Sequence, residues 1–247
     1  GNKNIIYASF ASGGLWKTSN AGESWEPLSD QIGTLSIGSF DVAPSNPKII
    51  YLGTGEANIF RASLPGMGAY KSIDGGKTWS KIGLTNTGTI ARVRIHPTNP
   101  NIVYVAAGGN EWSYNYDRGL FKTTDGGKTW KKMENGLPGG ANHIIGKTSI
   151  DIAQSNPSTV YALVEDKSPA LYKSTDGGSS WKMMFQSHSL AQRGPYYTRL
   201  RVSSQDENKL YTISVTIMES KDGGKTFNGH GNYNPGGDNH DIWFDPK

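Results

Sequence analysis

Apolar and polar residues alternate in short runs along the whole chain. Phe40-Asp41-Val42, Val93-Arg94-Ile95, Ile150-Asp151-Ile152 and Leu200-Arg201-Val202 repeat one phrase. A period of two marks a strand with one face packed. Most of these runs lead through a Pro/Asn turn into a second apolar run. Asn46-Pro47 precedes Ile49-Ile50-Tyr51, Asn99-Pro100 precedes Ile102-Val103-Tyr104, and Asn156-Pro157 precedes Val160-Tyr161. The polar position inside the first run changes sign down the chain, from Asp41 to Arg94, Asp151 and Arg201. Apolar positions on either side should pack one sheet on the next, with acid–base pairs bridging them.

A second motif closes each module. Residues 72–79 read Ser-Ile-Asp-Gly-Gly-Lys-Thr-Trp, 123–130 Thr-Thr-Asp-Gly-Gly-Lys-Thr-Trp, 174–181 Ser-Thr-Asp-Gly-Gly-Ser-Ser-Trp and 220–227 Ser-Lys-Asp-Gly-Gly-Lys-Thr-Phe. A weaker copy, Thr-Ser-Asn-Ala-Gly-Glu-Ser-Trp, occupies 18–25. The closing aromatics lie 54, 51, 51 and 46 residues apart. Asp74, Asp125, Asp176 and Asp222 are placed to accept backbone N–H bonds inside their own turns, a structural role. The glycine pair reverses the chain at positive φ, and the aromatic ring plugs the hairpin from behind.

Each module therefore predicts four short strands, A (such as 38–43), B (49–54), C (68–72) and D (78–82). Tandem units of this size are the signature of a β-propeller, because one four-stranded sheet cannot cover both its faces. The octets resemble the Asp-box, or BNR, repeat. The surrounding phrases, Ser12-Gly13-Gly14-Leu15-Trp16-Lys17, Gly53-Thr54-Gly55-Glu56, Arg118-Gly119, Pro195-Tyr196-Tyr197 and Asp238-Asn239-His240-Asp241-Ile242-Trp243, are similar to bacterial sortilin-like propeller proteins and glycosyl-hydrolase-like BNR proteins. The resemblance covers essentially the whole chain. It implies an all-β propeller of four-stranded antiparallel blades with Asp-box C–D hairpins. It leaves function open, since sialidases, xyloglucan-cleaving hydrolases, sortilin-type receptors and photosystem assembly factors share the blade.

Residues 1–247 are expected to form a single propeller domain of five blades. The first module opens at strand B, Ile5-Ile6-Tyr7, and the last supplies only a strand A, Asp241-Ile242-Trp243-Phe244. Two readings follow. The terminal strand completes the first blade and closes a five-bladed ring, or the chain is part of a larger propeller with further domains in the same polypeptide. Related proteins in the resembled group are usually much longer.

Composition narrows the chemistry. The chain has no cysteine, so disulfides and thiolate sites are excluded. Its net charge is +4, with Lys and Arg scattered, which gives no nucleic-acid footprint. No apolar run is long enough to span a membrane as a helix. No cofactor motif or metal-ligand spacing is present, and an Asp-box is not a metal site. The expected location is extracellular or periplasmic.

Strand polarity puts the A–B turns and Asp-boxes at one end of each sheet and the longer, irregular B–C and D–A loops at the other. Function is expected at the second end. Glu56, Glu111, Asp117 and Asp238 are the candidate catalytic carboxylates. Arg61, Trp112, Tyr114, Arg118, His143, Arg193, Tyr196, Tyr197 and His240 are the candidate ligand-binding residues. Rings beside carboxylates and arginines suit a sugar or a peptide. Structural roles compete. Arg118 is placed to pin the start of strand C, Tyr196 and Tyr197 to fill the top of a blade interface, and Asp238 and His240 to bond nearby backbone.

Two functions fit. The first is an exported binding module whose loop end takes a glycan, peptide or protein partner. The alternative is a glycoside hydrolase, which needs two carboxylates flanking a sugar bond. A sialidase is disfavoured, because Arg94-Ile95-His96-Pro97 fills the strand-A slot rather than forming an Arg-Ile-Pro motif. Xyloglucan-cleaving proteins of the resembled group use two propellers facing a cleft, more than 247 residues supply.

Overall fold

The computed structural model describes residues 2–58, 63–110, 116–139, 143–194, 196–229 and 239–244. Among them, regular structure is all strand except two 3₁₀ turns, Thr85–Thr87 and His188–Leu190. β1 (Ile6–Phe10), β2 (Gly14–Thr18) and β3 (Glu26–Pro27) make a three-stranded sheet. β4 (Ile37–Val42), β5 (Ile50–Thr54), β6 (Ala69–Ser72) and β7 (Ser80–Lys81) make the second sheet. β8 (Thr89–Ile95), β9 (Val103–Gly109), β10 (Gly119–Thr123) and β11 (Lys131–Met133) make the third. β12 (Thr148–Ile152), β13 (Val160–Val164), β14 (Ala170–Ser174) and β15 (Lys182–Gln186) make the fourth. β16 (Arg199–Val202), β17 (Leu210–Ile213), β18 (Ile217–Ser220) and β19 (Asn228–Gly229) make the fifth. Neighbours in each sheet are neighbours in sequence and antiparallel, the arrangement of β-propeller blades.

By their contacts the residues gather into two compact units. The first comprises Gly1–Val103, Gly109–Asp117 and Thr123–Trp130; the second comprises Tyr104–Gly108, Arg118–Lys122 and Lys131–Lys247. Leu15, Ile32, Ile37, Leu52 and Tyr70 form a core in the first. Leu163, Leu171, Leu190, Leu200 and Leu210 anchor one in the second. Of the alternate positions that the periodicity marked, Leu200 and Val202 lie in the second core, Phe40 packs against the first, and Val93, Ile95, Ile150 and Ile152 are buried.

The Asp-boxes satisfy themselves. Asp74 Oδ1 accepts from Thr78 N (2.9 Å) and Ser72 Oγ (2.8 Å), and Oδ2 accepts from Thr78 Oγ1 (2.6 Å). Ser72 Oγ in turn accepts from Gly76 N at 2.8 Å. The same bonds recur around Asp125, Asp176 and Asp222. The hydroxyl at the box's seventh position is the largest influence holding the first three carboxyls well below their ordinary range, and it holds Asp222 at about 2. In the weak copy Ala21 stands where Gly75 has φ 79°, and takes φ 59° at a steric cost glycine avoids.

Two closing indoles do more than plug their hairpins. Trp79 Nε1 donates to Leu28 O (2.6 Å) and Trp130 Nε1 to Ile82 O (2.7 Å), each tying a box to the preceding sheet. A second tie was not apparent in the sequence. Lys71 and Tyr51 donate to Gly126 O and Pro100 O of the following module, at 3.2 and 2.9 Å. Lys122 and Tyr104 both donate to Gly177 O, at 2.7 and 2.9 Å. Each ammonium also lies over its tyrosine ring, 5.0 and 5.3 Å from the centroid.

The acids of the first strands also bind backbone of the next sheet. Asp41 Oδ2 accepts from Ile95 N (2.9 Å) and Asp151 Oδ2 from Val202 N (3.0 Å), both backbone donors. Arg201 does form an ion pair, bidentate to Asp241 at 2.8 Å for both bonds. Residues 241–244, expected as an opening strand, carry no ladder among the described residues.

Candidate functional site

In the second unit the B–C and D–A connections converge on a buried charge cluster. β12 and β13 continue past their regular ladder: Gly146 N donates to Glu165 O (2.8 Å) and Glu165 N to Lys147 O (3.1 Å). That pairing turns the Glu165 side chain back over Lys147, whose N–H donates to Oε2 at 2.8 Å. Two glycines make the room. A Cβ at Gly146 or at Gly194 would overlap the Glu165 carboxylate. Lys147 is 6% exposed, and its Nζ donates to Tyr196 O at 2.9 Å. Arg118 reaches across to donate from Nη1 to Ile145 O at 3.0 Å. It pins a D–A loop, rather than only the start of its own strand.

Burial governs the ionisation of this cluster. It pushes the Lys147 amine down to about 7; the nearby Arg199 charge lowers it further, and Glu165 opposes the fall. Burial also raises the Glu165 carboxyl, against the Lys147 N–H, the Lys147 amine and the Arg118 guanidinium. Both shifts favour neutral forms, so desolvation outweighs mutual attraction here. Next in sequence, Asp166 meets His143 Nδ1 at 2.6 Å. A carboxyl held toward its protonated form beside a partly exposed Asp–His pair is equipped for proton transfer.

A shallow apolar cleft lies alongside. Leu120, Met133, Leu137, Pro138, Ile145 and Val164 line it. Thr148 is also in its wall, and the Thr148 hydroxyl is buried with no hydrogen-bond partner among the described residues.

The remaining candidates spread out. Arg193 is exposed, and its carbonyl caps the turn holding Tyr196 N (3.1 Å) and Tyr197 N (3.2 Å). Tyr196 is 50% exposed, whereas Tyr197 is 4% exposed and stacks on His240 with centroids 4.7 Å apart. In the first unit Glu56 is half-buried, its N–H bonded to Leu64 O (3.0 Å), and Asp117 is exposed beside Tyr116. Arg61, Glu111, Trp112, Tyr114 and Asp238 lie outside the described residues. Among the described residues no three His, Asp or Glu side chains converge as metal ligands. No helix among them is long and apolar enough to cross a membrane.

The structure thus joins Arg118 and the Tyr196 backbone to Glu165 and Lys147, which sequence reasoning missed. Glu165 sits in a short B–C hairpin, whereas the unusual residues of the sequence lie on the long loops. The available signal was the acidic pair Glu165-Asp166 directly after a buried apolar strand.

Known proteins share the fold and the sequence pattern. A xyloglucanase, Xgh74A, of Acetivibrio thermocellus is 30% identical over 212 residues, covering 73% of this chain and 24% of that protein. A xyloglucanase of Paenibacillus sp is 28% identical over 72% of this chain and 20% of its own length. One from Hypocrea jecorina is 26% identical over 85% of this chain and 27% of its own. The chain thus spans about a quarter of these relatives. The crystal structure of an ancestral GH74 enzyme superposes with a TM-score of 0.72 at 20% identity, over 99% of this chain and 32% of that one. The model of the Sortilin-Vps10 family (sortilin, neurotensin receptor 3) matches residues 13–139 and 67–230. With most of its repeats inside those two matches, the chain belongs to the Sortilin-Vps10 family.

Proposed function

We propose that this chain is a carbohydrate-acting propeller module of the glycoside-hydrolase type, exported, with xyloglucan-type glucans as its substrate class. The observation that carries the reading is the 212-residue stretch 30% identical to the Acetivibrio xyloglucanase. It favours the hydrolase alternative over a pure binding module. Hydrolysis needs an acid and a second carboxylate around the glycosidic bond. Glu165, kept toward its protonated form by burial, is the candidate proton donor of the second unit. Asp166, next in sequence, is the second carboxylate of that unit, and Glu56 and Asp117 are separate candidates of the first. The apolar cleft beside Ile145 and Val164 offers a surface for a sugar face.

The test is release of reducing ends from xyloglucan by the 247-residue chain, with Glu56→Gln, Asp117→Asn and Glu165→Gln variants alongside. Turnover that falls at least ~100-fold in one variant supports the proposal. Retarded migration in xyloglucan gels without turnover returns the chain to a binding role. Neither turnover nor retardation overturns both.

A further inference from the structure

Two of the D–A connections close the gap between their sheets with an apolar side chain. Ile32, between β3 and β4, is buried with Leu15, Ile37 and Leu52. Leu190, between β15 and β16, is buried with Leu171 and Leu200. The connection between β11 and β12 stops short of this. Leu137 and Pro138 stay half-buried in the wall of the apolar cleft. At Gly139, which follows them in that wall, a Cβ would meet nothing within 4 Å.

The gap left open has the walls of an interior. Leu120, Met133 and Val164 are buried, and so is Thr148, at 2% exposed. The Thr148 hydroxyl has no hydrogen-bond partner among the described residues. Thr198 shows the ordinary outcome. It stands two residues before Leu200, as Thr148 stands two before Ile150, and its hydroxyl donates to Tyr197 O at 2.9 Å. The carbonyl that matches Tyr197 O is Lys147 O, which instead accepts Glu165 N at 3.1 Å. A buried hydroxyl without a bond costs free energy that a bound acceptor returns.

Size and charge narrow the ligand. The inner space holds about one water-sized group, too little for a pyranose ring. The charged residues of the wall, Lys132 and Glu134, pair with each other at 3.8 Å, so the cleft is not built for an ion. The group that enters must be small, apolar at its tip, and carry one acceptor. An acetyl ester has that form, a methyl next to a carbonyl. We propose that this cleft receives the O-acetyl group of an acetylated glycan. Thr148 Oγ1 donates to the ester carbonyl, and the methyl lies among Leu120, Met133 and Val164. Half-buried Leu137 is the side chain that yields to admit it. The sugar stays outside, near Ile145, which leads into Gly146 and Lys147. Only the choice of a xyloglucan-type carrier rests on the function proposed above; the acetyl group rests on the cleft alone.

The test pairs an O-acetylated xyloglucan oligosaccharide with the same oligosaccharide after mild alkali, each titrated by calorimetry into the 247-residue chain. Thr148→Val keeps the shape and removes the donor, and Gly139→Leu fills the open wall. The chain is expected to bind the acetylated form at least ~10-fold more tightly, and either variant to bring the two forms within ~2-fold. Affinity for the alkali-treated form should not change, and Thr148→Val should unfold no earlier than the parent. Equal affinity for both forms, or a full preference kept by Thr148→Val, overturns the proposal. A second arm needs no xyloglucan. An acetylated methyl glucoside should shift the Thr148 and Val164 amides in NMR spectra, and plain methyl glucoside should not. Those shifts without binding of either oligosaccharide keep the acetyl site and reject the xyloglucan reading. No shift from the acetylated glucoside, with both oligosaccharides bound alike, rejects the acetyl site and leaves that reading standing.

Discussion

The fourth sheet carries an acid at each of its ends, Asp176 after β14 and Glu165 after β13, and the two are handled in opposite ways. At the Asp-box end, Asp176 takes its donors from Ser174, Ser179 and Ser180, all within four residues. Its carboxyl is pushed below the ordinary range. At the other end, Glu165 takes the N–H of Lys147, 18 residues away, in a pocket cleared by Gly146 and Gly194. Its carboxyl is pushed up by burial. A charge satisfied within its own turn holds a hairpin. A charge buried with distant partners leaves the ionisation state under the control of the surroundings, which is what proton-transfer chemistry exploits.

The sharpest way to break this contrast is Glu165→Ala. It strands the Lys147 N–H and removes the counter-charge to Lys147 and Arg118. Thermal unfolding should report a loss of about 3 kcal/mol. Glu165→Gln should recover part of it, keeping an acceptor without the charge.

Lys147→Met is the complementary change. The amine titrates near 10.4 in an unfolded chain and at about 7 when folded. Between those values the unfolded state holds more protons, so stability rises with pH from about 7 toward 10. Below 7 the full burden of a buried charge is present. Lys71 and Lys122, also lowered by burial, act in the same direction. Above about 10 the raised tyrosines Tyr51 and Tyr104 reverse the trend. Lys147→Met should flatten the rise seen in unfolding curves from pH 7 to 9.5 and stabilise the chain by roughly 2 kcal/mol at pH 7.

A smaller effect is expected at the Asp-box end from Gly178→Ala. The residue has φ 88°, and a Cβ would lie 2.8 Å from Met133 Sδ. The left-handed backbone alone costs about 1–2 kcal/mol, measurable by urea unfolding. Smallest of all is Lys17→Ala. It removes a partly exposed 3.4 Å pair with Glu26 and should change stability by no more than about 0.5 kcal/mol.

This ordering also explains what could be read from sequence. The Asp-boxes were legible because every partner of Asp74 lies between Ser72 and Thr78. Strand order was legible because each turn carries its own glycines or prolines. The partners of Glu165 are set by how two hairpins and a loop meet, and nothing near Val164 announces Lys147 or Gly194. The Lys71 and Tyr51 ties to the next module were hidden for the same reason. They depend on the pitch between sheets rather than on any local motif. Tyr196 and Tyr197 are adjacent in sequence, yet one is exposed and one buried, because the turn after Arg193 sends their rings opposite ways.

The account holds that the Asp-box ends are scaffold and the opposite ends meet the glycan. Amide NMR spectra of the chain titrated with a xyloglucan oligosaccharide test this directly. Shifts are predicted at Gly146, Lys147, Glu165 and Asp166, with Gly55 and Glu56 following, while Asp74, Asp125, Asp176 and Asp222 stay still. Shifts confined to the four Asp-box residues, or none anywhere at millimolar sugar, would contradict it.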